Sequence, residues 1–114
     1  MALLRGSGRH SGTDYRFDGI VDGRGGSGVA HEVELLAFAD AAIEPAGQPD
    51  RQRTALVACM GKEAMIDAAA VIAGFDAITR VADGSGIPLE PPKAEATADW
   101  RASLGIDAYW TMKV

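Results

Sequence analysis

One stretch, from Lys62 to Asp83, constrains the fold of this chain more than any other. Ala68, Val71, Ile72, Phe75, Ile78 and Ala82 recur at three- and four-residue spacing and make one helical face. Ile66, Ala69, Ala70, Ala73 and Ala77 widen that face until the middle is apolar nearly all round. A helix of this kind must be covered on several sides. Its many small residues allow neighbouring backbones to approach closely. Gly84 is placed to end it in the left-handed conformation.

Shorter helical patterns flank this rod. His31 to Ile43 carries Leu35, Leu36, Phe38, Ala39 and Ala42 as one stripe, with Glu32 and Glu34 in the first turn, where negative charge suits the helix dipole. Pro45 and Gly47 end it. Asp50 opens a second helix as N-cap or first-turn acid; Ala55, Leu56, Cys59 and Met60 face inward, and Gly61 is the stop. Ile87 to Pro92 reads as an extended connector, because proline restricts both itself and the residue before it. A weaker helix follows over about 94–104, then a tail in which Tyr109 and Trp110 are expected to dock.

The first 28 residues differ. They hold eight of the fourteen glycines and few large apolar side chains. Such a segment buries too little apolar surface to offset the entropy of ordering it. Tyr15 to Asp22 alternates weakly, but no second strand is available to pair with it. The expected organisation is a Gly-rich irregular arm (1–28), a helical domain (29–107) and a tail (108–114). The fold class is all-α: a small bundle of three to four helices, completed by oligomerisation because the core is small for so apolar a rod.

Composition removes several function classes. With 114 residues the chain is one modest domain, too short for a doubly wound dinucleotide-binding enzyme or a TIM barrel. A net charge of −5 without a basic cluster argues against nucleic acid and anionic membranes. One cysteine excludes an intrachain disulfide framework and a Cys-based zinc site. No apolar run approaches the ~20 residues that span a bilayer, and the start resembles no signal peptide. A cytoplasmic protein is the expectation.

Few motifs carry chemistry. Gly23-Arg24-Gly25-Gly26-Ser27-Gly28 matches G-x-G-x-x-G, but no strand follows the next helix to hold a ribose, so it is read as a flexible linker. Cys59 is read as a buried small hydrophobe, although Lys62 lies near in sequence. His10 and His31 are far apart, and no spacing demands a metal. Asp76 and Arg80 stand at i, i+4, a structural ion pair by preference and an acid–base pair if buried. The candidate site residues are therefore Cys59, His31, Asp76 and Arg80, with no cofactor and no metal.

The segment Gly74 to Glu90, with the helical runs Glu34 to Asp40 and Met60 to Asp67, resembles the carboxymuconolactone decarboxylase and alkylhydroperoxidase D-like superfamily, in particular its peroxidase-related branch. That branch has a helix reading roughly Phe-Asn-x-x-Asn-Arg-x-Ala-Asp before a Gly-Ile-Pro-Leu-type stretch. Here Asp76 and Thr79 stand where the pattern has Asn. The likeness covers residues 31 to 107. It implies an all-α fold that forms homo-oligomers. The peroxidase members reduce hydroperoxides with a Cys-x-x-Cys pair, assisted by Glu and His, one thiolate attacking the peroxide and the other resolving the sulfenic acid. Those residues lie upstream of the matched helices, where this chain has its cysteine-free arm, so none is carried over.

The expectation is thus a truncated or divergent relative that keeps the oligomerising scaffold without the redox pair. Two alternatives stand beside it. One is a thiol-independent, decarboxylase-like enzyme using His31, glutamates or Asp76/Arg80 in acid–base steps. The other is a non-enzymatic helical interaction module.

Overall fold

The computed structural model describes the backbone of residues 2–16, 18–20 and 23–111, and the side chains of these from residue 6 to residue 108. Five α-helices follow one another: α1 (Ala2–Ser11), α2 (Glu32–Ile43), α3 (Asp50–Met60), α4 (Lys62–Ser85) and α5 (Pro91–Ser103). A 3₁₀ turn spans Ile106–Thr111, and no strand occurs among the described residues. The chain is all-α, as its periodicity predicts. Among the described residues no helix is long and apolar enough to cross a membrane.

α2, α3 and α4 pack on one another, while α5 packs on the 3₁₀ turn that follows it. The centre of the three-helix contact is small. Among the described residues, only Phe38 of α2 and Leu56 of α3 are fully buried apolar side chains. Length explains this. At 1.5 Å per residue α4 extends about 36 Å, roughly twice the reach of α2 or α3. Two short helices cannot cover a rod of that length.

The expected faces are corrected accordingly. Along α4 the half-buried positions include Ala64, Met65, Ala68, Ala69, Ile72 and Asp76, which form one stripe against α2 and α3. Val71, Phe75, Ile78 and Val81, which share the adjoining stripe, are 57–66% exposed. Of the inward face expected from sequence, Ala68, Ile72 and Ala82 are half-buried; Val71, Phe75 and Ile78 are not. Ala42 on α2 and Ala55 on α3 are likewise exposed. The radius of gyration, 15.4 Å, exceeds the ~13 Å typical of a packed domain of this length.

Helix ends differ from expectation where local hydrogen bonding overrides composition. α4 runs through Gly84 and stops at Gly86, whose φ of 64° is left-handed. Gly86 N–H donates to Asp83 O and Ile87 N–H to Ala82 O, which closes the last turn. α5 begins at Pro91, earlier than expected, because proline at the first helical positions lacks only an N–H that the helix leaves unused. Asp50 is a first-turn acid of α3 and pairs with Arg53.

The arm is not uniformly irregular: Ala2–Ser11 is helical. Gly12, at φ 72°, lets Thr13 N–H reach back to Gly8 O at 3.0 Å, a closed C-terminal turn that a linker would lack. Part of the weakly alternating Tyr15 to Asp22 stretch (Phe17, Val21 and Asp22) lies outside the described residues, as do the side chains of Tyr109 and Trp110.

Candidate functional site

The glycine-rich loop before α2 holds an anion, and the anion belongs to the chain itself. Gly26 N–H, Ser27 N–H (2.8 Å) and the Ser27 hydroxyl all donate to the Glu32 carboxylate. Ser27 is buried, and its carbonyl accepts from Arg16 N–H at 3.0 Å, which ties the segment before the loop to the same knot. The Ser27 hydroxyl, then the loop amides, hold Glu32 below the ordinary carboxylate pKa of 4.5. The flexible-linker expectation is therefore corrected. Successive amides do form a concave donor set, as G-x-G-x-x-G suggests, but Glu32 occupies it.

Turning Glu32 back towards the loop shapes the start of α2. His31 takes φ 56° and ψ 27°, the only non-glycine residue with positive φ among those described. Its carbonyl still accepts from Leu35 N–H at 3.0 Å, so the helix starts directly after it. Histidine tolerates this conformation better than most side chains do.

This geometry brings three of the chain's chemically active groups together. One donor atom each from His31, Glu34 and Cys59 lies within 4.8 Å of the other two. The first two come from the opening of α2 and the third from the last turn of α3. Glu34 is half-buried; His31 and Cys59 are exposed. The exposure of Cys59 corrects its reading as a buried hydrophobe. It follows Leu56 by three residues, yet the packing centre stops at Leu56, and its thiol donates to Leu56 O at 3.4 Å. The cluster joins a ring nitrogen, a carboxylate oxygen and a sulfur. Sequence reasoning named His31 and Cys59 as candidates and Glu34 only as a first-turn acid, and it had no reason to join Cys59 to a helix that ends seven residues before α3 begins. The i, i+3 spacing of His31 and Glu34 was the one available signal.

The other candidate pair is not drawn in. Arg80 Nε donates to Asp76 Oδ2 at 2.9 Å on α4, with Arg80 exposed and Asp76 half-buried. The bond to Asp76 raises the Arg80 pKa above its ordinary value. This is a structural ion pair along one helix, beside the exposed apolar stripe. His10 lies in the last turn of α1 and is exposed.

A separate open cleft of about 570 Å³ lies where residues 8–9, 12–16 and 18 meet Asp99, Trp100 and Ser103. Arg9 and Arg16 stand there with Asp14, Asp18 and Asp99, so charges of both signs line it and select no ligand class. Comparison with protein-family models, with curated proteins and with solved structures finds no match.

Proposed function

We propose that the chain is a helical assembly module: a divergent relative of the peroxidase-related, alkylhydroperoxidase D-like proteins that associates with copies of itself and does not reduce hydroperoxides. The observation that carries this reading is the face of α4. Val71, Phe75, Ile78 and Val81 stand exposed on one helix, next to the small residues Ala70, Gly74 and Ala77. A stripe of large side chains alternating with small ones is self-complementary, since the bulges of one copy fit the gaps of another across a two-fold axis. Exposed apolar side chains grouped on one helix in this way favour an interaction surface. The lone cysteine supports the second half of the reading. Without a resolving thiol in the chain, a sulfenic acid at Cys59 has no intrachain partner.

Two measurements test the two halves separately. Light scattering on the purified chain is expected to show an oligomer; a folded monomer at all concentrations overturns the assembly reading. A hydroperoxide assay with a thiol reductant is expected to show no enzymatic turnover. Robust turnover that Cys59→Ala abolishes overturns the claim of lost redox activity.

A further inference from the structure

We propose that His31, Glu34 and Cys59 form a surface site for one zinc-class divalent cation, with a coordination position open to solvent. This goes beyond the assembly reading and does not depend on it. The donor set is the first argument. An imidazole nitrogen, a carboxylate oxygen and a thiolate sulfur are the three ligand types that zinc takes, and three protein ligands leave the fourth position for water. A mixed set discriminates against calcium and magnesium, which take oxygen donors alone.

Reach is the second argument. Zinc bonds of about 2.0–2.3 Å at tetrahedral angles place donor atoms roughly 3.3–3.6 Å apart. The three donors already lie within 4.8 Å of one another. The remaining contraction is at most about 1.5 Å, which a rotamer adjustment of two exposed side chains supplies. The packing of α2 on α3 supplies the fixed distance between the two halves of the site.

Competition is the third argument. Glu32, the carboxylate next to His31 in sequence, is committed to Gly26 and Ser27. Among the described residues, neither the His31 ring nor the Glu34 carboxylate has a hydrogen-bond or ion-pair partner on the chain. Both are thus available to a ligand. The same lack of outer partners means that nothing orients the ring in advance, which makes the bound ion exchangeable rather than structural.

Cobalt substitution tests the site on the whole, untagged chain, freed of metal by a chelator and kept reduced without added thiol. Cobalt(II) is expected to give a thiolate-to-metal charge-transfer band at one cobalt per chain, and zinc to abolish the band by displacement. Cys59→Ser removes the band. His31→Asn, chosen because asparagine also tolerates positive φ, and Glu34→Gln weaken cobalt binding at least as much as the ~10–100-fold cost of losing an outer-shell partner. Helical circular dichroism of each variant reports whether it folds. The inference is overturned if the folded chain shows no charge-transfer band, if saturation requires two chains per cobalt, or if folded His31→Asn and Glu34→Gln bind cobalt as the parent does.

Discussion

Replacing Phe75 by alanine is expected to disperse the assembly while leaving the subunit folded. Phe75 is 57% exposed in the single chain. An aromatic side chain carries roughly 200 Å² of surface, so roughly 110 Å² remains for a partner to cover. At about 25 cal/mol per Å² that surface contributes nearly 3 kcal/mol per copy, of which alanine retains a small part. A loss of about 2 kcal/mol per copy, felt twice across a two-fold axis, weakens dimerisation by about 4 kcal/mol. This is close to a thousandfold in the dissociation constant. The subunit itself is expected to lose only about 1 kcal/mol, because the chain covers less than half of the ring and alanine keeps part of that burial. Sedimentation equilibrium over a dilution series reads the association, and a thermal melt at high dilution reads the fold. Ile106→Ala, at a 39% exposed apolar residue on the 3₁₀ turn, is the control and is expected to associate normally. Equal association of Phe75→Ala and the parent chain would refute the reasoning.

Three further outcomes follow from the described geometry. Gly84→Ala is expected to stabilise by roughly 0.5–1 kcal/mol, since Gly84 is helical with open space around it, and Gly86→Ala to destabilise by about 1 kcal/mol, since φ there is positive; opposite shifts in melting temperature check the pair. Leu56→Ala, at the fully buried side chain of α3, is expected to cost about 2–5 kcal/mol by denaturant titration, a large share of the stability of a domain with so small a packing centre. Glu32 has its pKa lowered by the loop. Its link to Gly26 and Ser27 is thus complete above the ordinary carboxylate pKa of 4.5 and is lost as pH falls through the lower folded value. Amide exchange at these two residues, corrected for its intrinsic pH dependence, is expected to lose protection in that window in the parent chain and to show no such transition in Glu32→Gln.

The helices of the bundle were legible because their signal is local. α2 and α3 carry their apolar residues at helical spacing and end where glycine or proline must end them, so their limits match expectation within a residue. α4 was legible as a long apolar rod, but not which of its sides the chain covers. That depends on the lengths of α2 and α3 relative to α4, a property of the assembled fold rather than of any window of sequence. The stop at Gly86 in place of Gly84 turns on which carbonyls the following amides reach, and both glycines look alike in sequence. The helical start of the arm was hidden by its glycines, and the use of the glycine-rich loop was hidden by its partner. Glu32 reads as a first-turn acid of α2, yet its carboxylate points back to Gly26 and Ser27. Cys59 shows the same limit at the candidate site. Its spacing from Leu56 places it near the inner face, and only the packing of α2 on α3 puts it beside His31 and Glu34.

Amide hydrogen exchange along α4, followed against protein concentration, probes assembly through this helix most directly. Concentrated protein is expected to protect the amides from residue 71 to residue 85 strongly, and dilution to strip that protection while α2 and α3 keep theirs. Protection of this stretch that is the same at every dilution, or absent even in concentrated solution, would contradict the assignment of α4 as the surface on which copies meet.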